Sequence, residues 1–373
     1  MNLLAKRFVS FANKGIVGGF TEKDYRLLKT SGNAHKFQQL ITSGLYDQIE
    51  FKSIPGKALL NLVSGKFLTN HSLAEKYLEW VKSQPTVKFN GYPFELVTKL
   101  GLNRYLWDNY YGRNIPASTP QDQALEYTID KQFEQLIATA KEGNGAIKGN
   151  VWCALDTSGS MTCKLNGTKT SALDVCVSLG IYFSTLNEGA FHKNVIMFDD
   201  TSRVKQLSGS FTQMCKQLPA DAMGSTNFQS IISEIVNIRR NHPEIPLEDY
   251  CQTLLVVSDM QFNPTGNYYI EDNISPEDET SNYEEAKRKL SSVFPQEFVD
   301  NFKIIWWNVG GPRIGDFPST LEAGGTYYFS GFDGSIISFL LGGADKENGK
   351  NTPPTMEEIV QKVLTQDILT LLR

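Results

Sequence analysis

Two different hydrophobic periods run along this chain. Up to about residue 146 the apolar positions fall three or four apart. Leu40, Ile41, Leu45 and Ile49 form one such set, and Leu59, Leu60, Leu62, Val63 and Phe67 form a second after Pro55-Gly56. Leu73, Tyr77, Leu78, Trp80 and Val81 form a third, with Ser72 in the place of an N-cap. Pro93 opens a further pattern through Phe94, Leu96, Val97 and Leu100, a place where a helix tolerates proline. After Pro116 and Pro120 the spacing of Leu125, Ile129, Phe133 and Ile137 predicts one more helix. Short polar joins between these stretches predict a stack of helical hairpins. Residues 138–150, polar and rich in glycine, read as a boundary.

Beyond that boundary the period changes. Short apolar runs at 151–155, 195–198, 254–257, 302–309 and 325–329 read as strands, and 202–207 reads as a partner of 195–198 across Asp199-Asp200. Helical stretches at 171–186, 228–239 and 283–293, and another from Ile336 to Leu341, alternate with them. Such alternation predicts an α/β domain built on a mainly parallel sheet with helices on both faces. The expected organisation is an all-α, helical-repeat-like domain over 1–147 followed by an α/β domain over 148–345.

Composition adds limits. A chain of 373 residues, 40% of them apolar, can bury the core of two domains or of one large one. It has no apolar run of about 18 residues, so membrane insertion is not expected. The opening MNLLAKRFVSFANKG lacks the apolar stretch of a secretory signal. The five cysteines, an odd number without C-x-x-C spacing, read as small buried hydrophobes in a reducing compartment. A cytoplasmic location is the resulting expectation. Residues 1–149 carry 19 Lys and Arg against 13 Asp and Glu, a net +6, and residues 150–373 carry 17 against 28, a net −11. Any polyanion would therefore be met by the first part. Tyr105, Trp107, Tyr110 and Tyr111, beside Arg104 and Arg113, could stack nucleobases, although helix packing is the commoner fate of such a cluster.

The chemistry concentrates after the first strand. In Val151 to Met161, VWCALDTSGSM, an apolar run ends abruptly in Asp156, Ser158 and Ser160. The carboxyl ends of the strands are where an open α/β sheet binds ligands. Asp156, Ser158 and Ser160 make an oxygen-only donor set, suited to Mg²⁺ and not to zinc or copper. Residues 223–228 offer a hydroxyl on a glycine-containing loop just before the 228–239 helix, and the second strongly apolar strand again ends in a carboxylate, Asp259, so that three oxygen-bearing loops would meet at one edge of the sheet. Enzymatic readings find little support. There is no G-x-x-x-x-G-K-[ST] phosphate loop and no G-x-S-x-G elbow, and Ser158 stands where phosphoryl-transfer enzymes of the D-x-D type place a second carboxylate. The four histidines are widely separated. Residues 263–282 hold five carboxylates and no Lys or Arg, and could compete for the cation or cover it.

The pattern D-x-S-x-S, then a threonine, then an aspartate after a hydrophobic strand resembles the metal-ion-dependent adhesion site of von Willebrand factor A (vWA) domains. The resemblance implies a Rossmann-like, doubly wound domain holding Mg²⁺, or Mn²⁺ or Ca²⁺ in the same site, through Asp156, Ser158, Ser160, Thr226 and Asp259. It further implies a protein partner that supplies a carboxylate to the metal. Gly56 to Leu62 and Gly91 to Phe94 resemble segments of the TROVE/Ro group, in which a helical-repeat (HEAT-like) region precedes a vWA domain. Ser258 to Phe262, Trp306-Trp307-Asn308 and Ser330-Gly331-Phe332 look closer still to an uncharacterised TROVE-like vWA family of plants, fungi, bacteria and viruses. That resemblance adds a linker and terminal helix over 346–373, the helix from Met356 to Leu372. Ro proteins have a longer helical region that closes a ring around RNA, whereas only about 145 residues precede the α/β domain here. The expectation is a non-enzymatic module that captures a protein partner through Mg²⁺. The alternatives are Ro-like RNA binding by the basic helical part, with Lys57, Lys66, Arg104 and Arg113 as candidate contacts, and a structural component of a virus particle.

Overall fold

A computed structural model describes residues 36–102, 105, 108, 111, 118–144, 151–165, 167–198, 201–218, 227–260, 282–310 and 326–331. The chain packs as two compact units. One comprises Met1–Asn90 with Ala117–Gln135, and the other Gly91–Pro116 with Leu136–Arg373. The packing thus divides the chain differently from a single cut at residue 147, because the Pro93–Leu100 helix belongs with the sheet.

The described part of the first unit is made of short helices, Lys36–Ser43, Gly56–Ser64, Phe67–Asn70 and Ala74–Ser83, with 3-10 turns at Tyr46–Gln48 and Phe51–Ser53. The Pro120–Asn144 helix contributes its residues up to Gln135. Its start is held by Thr119, whose N–H and hydroxyl both donate to Asp122 Oδ2 at 2.9 and 2.7 Å. Two expectations are corrected here. The set from Leu40 to Ile49 is broken at Gly44, so Leu45 and Ile49 lie outside the Lys36–Ser43 helix. Ser72 is not an N-cap: with φ 54° it is the left-handed residue closing the turn after Phe67–Asn70, and Leu73 precedes the next helix. Phe51, Leu59, Val63, Leu68, Tyr77 and Val81 lie in one core, where the Tyr77 hydroxyl is paired with Thr128 Oγ1 at 2.8 Å.

Among the described residues the second unit is built on a six-stranded sheet in the order β3-β2-β1-β4-β5-β6. Its strands are β1 Val151–Asp156, β2 Asn194–Phe198, β3 Ser202–Gln206, β4 Thr253–Ser258, β5 Lys303–Asn308 and β6 Thr326–Ser330. Every pairing is parallel except the β2–β3 hairpin. An α/β architecture with a mainly parallel sheet is therefore present, as the alternating pattern implies.

Side chains of β1 and its neighbours point alternately to two faces. Trp152, Ala154, Val256 and Trp306 join the core beneath the Phe228–Asn241 helix, where Phe228 lies 4.6 Å from Trp306 between ring centroids. Leu155 faces the Ala172–Leu186 helix on the other side. There a Cβ on Gly180 would come within 2.5 Å of the Leu155 methyls, so glycine permits the close approach. Ser171 caps that helix, accepting the Asp174 N–H at 3.0 Å while Asp174 Oδ2 accepts the Ser171 N–H at 3.0 Å. The Thr98 hydroxyl of the Pro93–Leu100 helix donates to the same Asp174 oxygen at 3.3 Å.

Residues 138–144, read from sequence as a polar boundary, continue the Pro120–Asn144 helix, since lysine and glutamate favour helix and outweigh one glycine. Helices Phe211–Lys216 and Gln296–Asn301 are too short to leave a periodic signal in the sequence. The expected helices at 336–341 and 356–372 and the acidic stretch 263–281 lie outside the described residues. Four cysteines are buried free thiols, but Cys163 is exposed, because its loop runs over the surface. Among the described residues no helix is long and apolar enough to cross a membrane.

Candidate functional site

The strand order reverses direction between β1 and β4. From β1 the chain builds outward through β2 to β3, then crosses back to build β4, β5 and β6 on the other side. Loops leaving the carboxyl ends of two such strands part to opposite sides and open a crevice. Asp156 is the last residue of β1, and Asp259 follows the last residue of β4.

Asp156 is fully buried. Its Oδ1 accepts the Ser158 N–H at 2.9 Å, and its Oδ2 accepts the Ser258 hydroxyl at 2.6 Å. Burial pushes its pKa up to about 6; the bonds from Ser258 and Ser158 oppose the shift, and the nearby Asp259 carboxylate adds to it. Ser158 and Ser160 enter a tight turn: the 3-10 segment Gly159–Thr162 begins between them, and their hydroxyl oxygens stand 3.1 Å apart. Asp259 is 9% exposed. It is followed by Met260, whose left-handed backbone (φ 63°) directs its N–H to Ser258 Oγ at 2.9 Å. Beneath the crevice the Cys176 thiol of the Ala172–Leu186 helix donates to the carbonyls of Asp156 and Val257 at 3.5 and 3.4 Å, bridging β1 and β4 from the opposite face.

Of the five candidate ligands, Asp156, Ser158, Ser160 and Asp259 fall at this one crevice, and Thr226 lies outside the described residues. Ser258 is the residue sequence reasoning passed over. Its signal was there, a hydroxyl at the end of an apolar strand. Only the β1–β4 register, with Leu155 opposite Val257, brings it level with Asp156. Among the described residues no group of three or more His, Cys, Asp or Glu could hold a metal. Any cation here would depend on the serine hydroxyls as well as on two carboxylates. Lys57 and Lys66 are both exposed, Lys57 in the first turn of the Gly56–Ser64 helix and Lys66 just before the Phe67–Asn70 helix; Arg104 and Arg113 lie outside the described residues.

Residues 151–368 match DUF7788, a domain of unknown function, and the match begins on the first residue of β1. The chain belongs to the DUF7788 family. It is also similar to the uncharacterized protein L728 of Acanthamoeba polyphaga mimivirus, at 24% identity over 339 residues, which are 87% of this chain and 52% of that protein. The chain thus spans about half the length of that relative. The crevice between β1 and β4 lies within the DUF7788 region, as does every candidate cation ligand.

Proposed function

We propose that this chain is a non-enzymatic binding module of the vWA type, which captures a protein partner through a divalent cation held at the β1–β4 crevice. The observation that carries the reading is the placement of Asp156, Ser158, Ser160 and Asp259 at the point where the strand order reverses. The donor set fits Mg²⁺. All its atoms are oxygens, and the 3.1 Å between the Ser158 and Ser160 hydroxyls matches the separation of about 3 Å between adjacent ligands of an octahedron with bonds of about 2.1 Å. Asp156, Ser158, Ser160 and Asp259 would hold the ion, with Thr226 the fifth donor by its place in the sequence; Mn²⁺ or Ca²⁺ could use the same oxygens. When bound, the cation would offset the two neighbouring carboxylates and present a hard acceptor for a partner's carboxylate. Asp156 is engaged at both oxygens by Ser158 and Ser258, which fixes its carboxylate in place.

Titration calorimetry with Mg²⁺ and Mn²⁺ tests the cation, and anisotropy of a labelled aspartate-containing peptide tests the partner chemistry. The expected result is saturable cation binding, peptide binding only in its presence, and loss of both in Asp156→Ala. Absence of binding by either cation at millimolar concentration overturns the reading. A Ro-like role would draw on Lys57 and Lys66; tight binding of single-stranded RNA that weakens steeply with salt and with neutralisation of those lysines would favour it instead. The buried thiols fit a reducing compartment such as the cytoplasm. The similarity to a mimivirus protein is what favours the alternative of a virus-particle component.

A further inference from the structure

Asp259 is pressed from the side by the end of β5. Ser258 and Asn308 stand opposite each other in the β4–β5 register, and the Val309 N–H donates to the Ser258 carbonyl at 3.0 Å, so the two strands stay joined to their last residues. Asn308 is 1% exposed, and its side chain binds in two directions. Its Oδ1 accepts the Gly310 N–H at 2.9 Å, bending the chain back over the strand end, and its Nδ2 donates to the Tyr328 hydroxyl at 2.9 Å on β6. The Gly331 N–H donates to the Asn308 carbonyl at 2.9 Å, anchoring the same residue through its backbone.

This bend brings the Gly310 backbone against Asp259. A Cβ on residue 310 would lie 2.5 Å from Asp259 Cβ and 3.0 Å from its Cα, closer than real side chains approach. On its other side Asp259 is continued by left-handed Met260, a conformation that a non-glycine residue holds only where its surroundings enforce it. The aspartate is therefore confined between a glycine wall and a strained turn.

We infer that Asn308 and Gly310 are positioning residues for Asp259, and that the end of β5 thereby sets the cation affinity of the β1–β4 crevice. The inference rests on the proposed cation-binding role of that crevice and names what tunes it. Residues that orient metal ligands typically change affinity by about 10- to 100-fold when altered. A purely structural glycine would not couple to one particular carboxylate.

The test is a double-mutant cycle on the full chain, read as Mg²⁺ affinity by titration calorimetry, with folding checked by circular dichroism. Gly310→Ala is expected to weaken Mg²⁺ binding about tenfold or more. In an Asp259→Ala background, already weakened, it should change nothing further, because its route to the ion has been removed. Asn308→Ala releases the bend without adding atoms and should follow the same pattern, which keeps the inference open to test should Gly310→Ala not fold. Wild-type affinity in Asn308→Ala and in any folded Gly310→Ala, or losses that add to that of Asp259→Ala, overturn the inference while the cation site stands. Failure of the wild-type chain to bind Mg²⁺ overturns the site itself and the inference with it.

Discussion

Asp156 and Asp174 are both buried carboxylates of the sheet unit, and burial pushes the pKa of each upward, yet they are housed in different ways. Asp174 stands in the first turn of a helix, where the backbone dipole favours negative charge. It accepts bonds from the Ser171 N–H and the Thr98 hydroxyl, and so completes a joint between two helices. Asp156 stands at the end of a strand, without that dipole, and a second carboxylate raises it further. Among the described residues no cationic side chain offsets it. Both carboxylates accept hydrogen bonds from the protein, but only Asp156 also faces a second carboxylate, Asp259, at a crevice. Paired carboxylates at one crevice are the condition that makes a binding site attractive to a cation.

The largest expected effect separates the two directly. A carboxyl whose folded-state pKa lies above its unfolded value keeps a proton that the unfolded chain has already lost. Metal-free stability from Asp156 is then greatest below about pH 4 and falls as pH rises through about 6, by about 3 kcal/mol. Urea denaturation in chelator between pH 4 and 7.5, comparing the wild-type chain with Asp156→Asn, isolates this group. The variant should be the more stable at pH 7 and the less responsive to pH, and equal slopes for the two proteins would end the contrast. Asp174→Ala should act with the opposite sign. It removes the acceptor for the Ser171 N–H and costs about 1–2 kcal/mol, with Mg²⁺ affinity unchanged in calorimetry. A comparable effect is expected of Ser258→Ala, which deletes the 2.6 Å bond to Asp156 Oδ2 and the acceptor of the Met260 N–H. A stability loss of about 1–3 kcal/mol is expected. The pH at which the Asp156 contribution fades should move up, because a bond favouring the ionised form is gone.

Much of the β1–β4 crevice could be read from the order of residues alone. The switch from apolar run to Asp156, Ser158 and Ser160 marks the end of a strand, and the run 254–257 ahead of Asp259 marks another. The β2–β3 hairpin across 199–200 was equally legible, since two strand patterns flank a turn-forming pair. Other features were not legible. Lys141 and Glu142 lie in a stretch whose glycines read as a break, yet the helix runs through to Asn144. Ser72 offers a hydroxyl where a cap is expected but is used for its backbone. Asn308 and Gly310 look like ordinary strand-end residues until β5 is laid beside β4.

By itself the sequence determined the strands and the longer helices of the sheet unit and which strands end in oxygen donors, because those properties follow from local periodicity and side-chain chemistry. Only the tertiary structure decided that β4 lies beside β1, that Ser258 reaches Asp156, and that Gly310 walls in Asp259. Strand order and register are set by which apolar faces pack together across residues far apart in the chain, and no local pattern carries that information.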